Sequence, residues 1–302
     1  MALSDNQQLQ IRAHEAFILR AFLVGARFML KGSYLTRQYF PEDIVRIPAD
    51  LDWFYIDRVV DIEREQYTFN SWVQAITDIE WDDGVRFQRF VENQFWRSID
   101  YAMHDDFPTI NTDITCWVDG VRVDFSIDLS FNLPLPFAPV PLIYRALNGA
   151  AFTFPYTVPL SLQVSWKIHQ TLVRPRFKDL FDLIYLVSNK AFDTTVLQET
   201  AEALVQECKA NGIKYKQVQY FFEYEIEKLF PAKTIKDSWS YWRTGWRESN
   251  SRATILYERA KHITDPGQLP QSLPDFLQLF QTTLMAKGLT PELIMPFKER
   301  LG

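Results

Sequence analysis

Residues 27–40 read Arg-Phe-Met-Leu-Lys-Gly-Ser-Tyr-Leu-Thr-Arg-Gln-Tyr-Phe, and Asp50-Leu51-Asp52 begins seventeen residues after Ser33. The first five residues have the length and apolarity of a strand. Gly32-Ser33 makes a turn, and Tyr34 to Phe40 reads as a helix with Ser33 as its N-cap. A glycine lets backbone approach a ligand closely, and free N–H groups at a helix start favour an anion such as a triphosphate. On a strand Asp50 and Asp52 point to one face while Leu51 and Trp53 point to the other. Two carboxylates that close repel without a counter-ion, and Mg²⁺ is the usual one where a phosphate substrate completes the oxygen shell. Turn and acid pair together point to metal-assisted phosphoryl chemistry; taken alone, the acid pair is more often a solvated strand end.

A third carboxylate comes from residues 117–129, Trp-Val-Asp-Gly-Val-Arg-Val-Asp-Phe-Ser-Ile-Asp-Leu. Asp119-Gly120 marks a hairpin turn, and the run after it alternates strictly. Val121, Val123, Phe125, Ile127 and Leu129 share one face; Arg122, Asp124, Ser126 and Asp128 share the other. If this strand neighbours the acid pair, Asp124 is the first candidate to join it and Asp128 the second. By itself the pattern is that of a half-buried antiparallel strand.

Residues 166–183 form a basic stretch ending in acids, and Pro175 suits the first turn of a new helix. On that helix Asp179 and Asp182 share a face, and Leu180, Leu183, Ile184 and Val187 make an apolar stripe. Between Asp128 and Asp179 there is no Asp or Glu, whereas Arg145, Lys167, Arg174, Arg176 and Lys178 all occur. In a chain of net charge -6, that island suits phosphate binding; the alternative is that its cations pair with Asp179, Asp182 and surface acids. Both readings are open on charge alone.

In order and spacing these residues resemble the AbiEii family, the nucleotidyltransferase-like toxins of type IV toxin-antitoxin systems. Gly32, Ser33, Asp50 and Asp52 match the first family motif. Lys167, Arg174, Arg176, Lys178, Asp179 and Asp182 fall in the order of the Lys-to-Arg-Asp-x-x-Asp motif. Asp124-Phe125-Ser126 looks like the Asp-hydrophobic-Ser of the intermediate strand, although the later Gly-Asp of many relatives is absent and Asp128 arrives early. The likeness covers roughly residues 25 to 190.

The resemblance implies an α+β fold, a nucleotidyltransferase-like mixed sheet with flanking helices followed by a helical C-terminal domain, divided at 1–155 and 156–302. It implies transfer of a nucleotidyl group from an NTP to an acceptor, with RNA such as a tRNA end expected and a cognate antitoxin as partner. Asp50 and Asp52 would hold one or two Mg²⁺, with Asp124 or Asp128 completing the cage. Gly32, Ser33, Lys167, Arg174, Arg176 and Lys178 would bind the nucleotide. Asp179 would orient or deprotonate an attacking hydroxyl, or fix Lys167 and Arg176. Two rivals stand beside this: NMP transfer to a protein hydroxyl, and a non-catalytic NTP- or partner-binding module.

Composition agrees with such an enzyme. A chain of 302 residues that is 47% hydrophobic supports two cores. It shows no signal-peptide pattern and no apolar run long enough for a membrane helix, so a cytoplasmic location is expected. Cys116 and Cys208 are expected as free thiols, and the four histidines are too scattered for a zinc motif. His169 beside Lys167 is more often satisfied within a fold than aimed at substrate.

Further helices are expected over Asn6–Leu23, over most of Phe69–Met103 with a break near Asp82-Asp83-Gly84, and over Thr194–Asn211, Lys216–Leu229, Ser251–His262 and Leu273–Lys287. Leu133–Pro159 holds six of the sixteen prolines and reads as a linker between the two halves. Trp239, Trp242 and Trp246, interleaved with Arg243 and Arg247 and followed by Arg252, have the spacing of a buried helical face; stacking on RNA bases is the minority reading.

Overall fold

Phe28-Met29-Leu30 and Trp53-Phe54-Tyr55 are apolar without alternation, as expected of strands covered on both faces. In the computed structural model, which describes residues 4–44, 46–48, 50–92, 94–99, 108–147, 149–231, 234–244 and 266–301, they lie inside one sheet. Its strands are β1 (Phe28–Lys31), β2 (Leu51–Tyr55), β3 (Val85–Phe87), β4 (Arg97–Ile99), β5 (Thr109–Val118), β6 (Val121–Ser130), β7 (Val140–Arg145) and β8 (Ala151–Thr157). The order is β3-β5-β6-β2-β1-β8-β7, with β4 also pairing β5. Parallel β2/β6 and β1/β8 contacts among antiparallel ones make the sheet mixed. The chain divides into two units, Met1–Gln38 with Pro48–Val158, and Tyr39–Ile47 with Pro159–Gly302.

The first unit holds the whole sheet and the helices α1 (Asp5–Val24), α2 (Gly32–Thr36) and α3 (Ile62–Thr77). Ser4 and Gln7 form a capping box at the start of α1, and Gly25 ends it at φ 67, a left-handed cap that a glycine adopts without strain. An aromatic core joins helices to sheet: Phe17 of α1 contacts Trp53, Trp72, Phe87 and Phe125, and Phe28 stacks on Trp72 with centroids 3.9 Å apart. Each such ring buries a large apolar area and dominates the local packing. The Asp119-Gly120 turn has φ 49 and 82, the double positive φ of a tight hairpin, and sets the β5/β6 register.

Two expectations are corrected here. Residues 85–87 and 97–99 are strands and not helix: Val85-Arg86-Phe87 and Arg97-Ser98-Ile99 pair with β5, and hydrogen bonding to a long neighbour outweighs local helix preference. Residues 133–159 are not a bare linker but carry the β7/β8 hairpin. The prolines fit because Pro141 falls at a register shift on an edge strand, where a missing N–H is tolerated.

The second unit is helical: α4 (Leu160–Val173), α5 (Phe177–Ser188), α6 (Thr194–Ala210), α7 (Tyr215–Phe222), α8 (Ile235–Thr244), α9 (Leu273–Ala286) and short C-terminal turns. Phe177 is the hub of its core, touching Phe230, Trp239, Trp242 and Phe276. Trp239 and Trp242 are thus buried, the reading their spacing favoured; Trp246, Arg247, Arg252 and the Ser251–His262 helix lie outside the described residues. The helix expected to reach Leu229 stops at Phe222, because Tyr224 takes φ 61 and ends it. No helix among the described residues is long and apolar enough to cross a membrane.

Candidate active site

In the first unit, β1 ends at Lys31 and the chain turns at Gly32, whose φ is +71. A Cβ built there would lie 2.7 Å from Cγ of Asp52 and closer still to its Oδ2. Only glycine lets the carboxylate lie against this turn. Lys31 faces Asp52 across β1/β2, with Nζ 3.8 Å from Oδ1. Ser33 is not the N-cap. Lys31 holds that position without a side-chain cap, and the Ser33 hydroxyl, one residue inside the helix, donates to the Asp50 carbonyl at 3.2 Å. That bond pins the turn to the start of β2.

Asp128 stands opposite Asp52 because β6 runs parallel to β2 in this register. Its Oδ1 accepts from Asn111 Nδ2 at 2.6 Å, and Asn111, its cross-strand partner on β5, is itself held by Arg97. Asp124 is four residues further along the strand, about 13 Å away at the usual rise. It is exposed, accepts from Thr115 at 2.7 Å and from Arg122, and these donors hold its carboxyl below the usual range. The sheet therefore brings Asp128 to Asp52, and not Asp124. Asp50 precedes β2 and lines a cavity of about 200 Å³ together with Asp128, Gln10, His14, Phe125 and Ser126.

The chemistry of these donors fits a hard divalent cation, since Asp50, Asp52 and Asp128 offer only oxygen. Among the described residues no group of three or more His, Cys, Asp or Glu side chains is arranged to hold a metal ion. Cys116 and Cys208 are free and buried; burial pushes the Cys116 thiol up to about 12.

The second unit gathers the other candidates around two fully buried carboxylates. Lys167 Nζ donates to Asp179 at 3.2 Å and to Asp182 at 2.8 Å. Arg176 Nε lies 2.5 Å from Asp179, and Arg46 grips Asp182 through two bonds of 2.8 and 3.1 Å. Burial disfavours the Asp179 charge, yet Arg176, Lys167 and Lys178 outweigh it and hold the carboxyl down to about 2. The cations of this stretch pair with Asp179 and Asp182, and the acids fix Lys167 and Arg176 in place. Arg174 ends α4 half-buried. His169 is buried, its Nε2 3.0 Å from Asn211, the satisfied histidine its position suggested.

Sequence reasoning missed Arg46, Asn111, Gln10 and His14. Asn111 was detectable as a polar residue on the face of β5 opposite Asp128; Arg46 sits in irregular chain and gives no signal.

Asp52 on β2 with Asp50 just before the strand, a glycine turn after β1 and a parallel β6 within a mixed sheet are the marks of a nucleotidyltransferase. The profile of the family described as nucleotidyl transferase AbiEii toxin, type IV TA system, matches residues 18–270, and the chain belongs to that family. It is thus a toxin nucleotidyltransferase. Comparison with curated proteins gives no match. Among solved structures, MenT4, a nucleotidyltransferase toxin from Mycobacterium tuberculosis H37Rv, is similar with TM-score 0.50 and 10% identity, over 97% of this chain and 91% of that one. JHP933 from Helicobacter pylori matches with TM-score 0.46 and 11% identity, over 99% and 97%. At 10% identity the likeness to MenT4 is one of fold.

Proposed function

We propose that the protein moves an NMP group from an NTP to an RNA hydroxyl, a tRNA end being the expected acceptor, with Mg²⁺ held by Asp50, Asp52 and Asp128. The observation that carries this is the register that sets Asp128 opposite Asp52 beside a turn only glycine can make. Bound there, Mg²⁺ would supply neutralisation of phosphate charge. Gly32 and Ser33 would receive the triphosphate, and Lys167, Arg174, Arg176 and Lys178 are its proposed counter-charges. The acceptor oxygen bonds to the α-phosphorus, the bond to the pyrophosphate oxygen breaks with its electron pair, and the hydroxyl proton passes to water. Asp179 serves as a positioning residue: a carboxyl held near 2 by its cations is a weak base. As the toxin of its system the chain would be held in check by a cognate antitoxin, and the cytoplasm, where tRNA and NTPs are found, is the proposed site of action.

The test is incubation with Mg²⁺, each α-labelled NTP and total cellular RNA, comparing wild type with Asp52→Asn. Label on RNA, lost in the variant and on chelation, is the expected result. Label on protein would replace RNA as acceptor, and no label despite measurable NTP binding would overturn transfer altogether.

A further inference from the structure

Gln10 and His14 lie one turn apart on α1 and so share a face, and both line the cavity that also holds Asp50, Phe125, Ser126 and Asp128. His14 is 1% exposed. Its Nδ1 is 2.7 Å from the Tyr34 hydroxyl, and its ring packs edge-on against Phe125 with centroids 4.5 Å apart. Its Nε2 is buried and has no protein partner. A buried polar atom left unpaired costs about 1–3 kcal/mol, and the residue that carries this one lines the cavity. Burial also holds the imidazole pKa down to about 3, which leaves a neutral hydrogen-bonding ring.

The side of the site matters. In the sheet β2 is flanked by β1 on one edge and β6 on the other. The Gly32 turn follows β1, whereas Ser126, Asp128 and Phe125 belong to β6. Nucleotidyl transfer puts attacking and leaving oxygens on opposite sides of the α-phosphorus. With the leaving pyrophosphate on the β1 side, the attacking hydroxyl comes from the β6 side, where the cavity lies.

We propose that this cavity receives the terminal ribose of the RNA acceptor, with Gln10, His14 and Ser126 hydrogen-bonding its hydroxyls and Asp128 beside the one that attacks. This rests on the transfer reading of the same strands. A sugar fits better than a single protein hydroxyl: three neutral polar groups surround the space, Phe125 offers an apolar wall for a ring, and about 200 Å³ is small against the roughly 300–1,000 Å³ of drug-sized sites.

The experiment measures binding of a short single-stranded oligoribonucleotide and of the same strand with a 2′-deoxy last sugar, for wild type, Gln10→Ala, Ser126→Ala and His14→Asn, whose amide can still meet Tyr34. Labelled transfer and NTP affinity are measured alongside. Wild type should prefer the ribose terminus by about three- to tenfold, the worth of a hydrogen bond; each variant should bring that ratio towards one while NTP affinity stays within about twofold. An unchanged ratio in Gln10→Ala and Ser126→Ala, or a loss of NTP affinity instead, would overturn the assignment. Transfer without terminal-sugar preference would remove the ribose site alone; preference without transfer would keep the site and remove the reaction.

Discussion

Gly32 is the residue whose replacement should do most for its size. Its φ of +71 costs an L-residue about 1–2 kcal/mol, and a methyl group would strike Asp52. Gly32→Ala is expected to lower stability by about that amount and transfer activity much further, because relief of the clash displaces Asp52; a urea midpoint set beside labelled transfer checks both. The two strand acids should separate as sharply. Asp128→Asn is expected to cut transfer about a hundredfold or more, whereas Asp124→Asn, which loses only an exposed pair with Arg122, should stay within about threefold of wild type. Equal losses in kcat would refute the placement. The sequence could not choose between these acids, since a period of two puts them on one face. The choice lies in the β2/β6 register, a pairing of residues 76 apart (Asp52 with Asp128) that no local pattern encodes.

At the scale of elements, α4, α5 and α6 carry opposite pH responses. Asp179 is held at about 2 against an ordinary 3.8, so its contribution is present above about 3.8 and is lost as pH falls through about 2. Glu207 on α6 behaves the other way: burial beside α4 raises it from 4.5 to about 8, although Ser165 and Trp166 bond to it. Its stabilising protonated form holds below about 4.5, and the benefit is lost as pH rises towards 8. Glu207→Gln is expected to flatten that upper slope and leave the acid limb unchanged, read from urea midpoints across the pH range. Arg46→Ala, which removes the bidentate partner of buried Asp182, should cost about 3–5 kcal/mol. Elements with strong local signals were legible: the β5/β6 hairpin through Asp-Gly, α5 through its apolar stripe. Three-residue strands such as β3 and β4 are too short to show a period, and β7 and β8 hid behind prolines, of which Pro141 sits on the edge strand β7. At the site, acids, turn and cations could be read by type; His14 and Gln10 could not, because a helix face gains a cavity only after the sheet folds under it.

At the scale of the whole molecule, the second unit owns a segment made early in the chain, Tyr39–Ile47. Phe40 packs on Phe181 and Tyr185, Asn189 bonds the Tyr39 carbonyl at 2.9 Å, and Arg46 neutralises Asp182. A fragment of residues 159–302 lacks all of these and is expected to melt well below the full chain or not cooperatively; added peptide 39–47 should raise its midpoint in circular dichroism. Cooperative melting of the bare fragment at the full-length temperature would show the segment to be dispensable.

The Arg46–Asp182 pair also sets a clock. These partners are 136 residues apart in the chain, and a ribosome adding about 5–20 residues per second needs roughly ten seconds to supply the second after the first. Through that interval the nascent chain carries the Arg46 guanidinium without its native carboxylate. A message broken before the codons for residues 177–188 yields a product without α5, so its helical unit has no Asp179 or Asp182 to organise it. Interrupted synthesis then leaves unfinished chains lacking half of the candidate machinery.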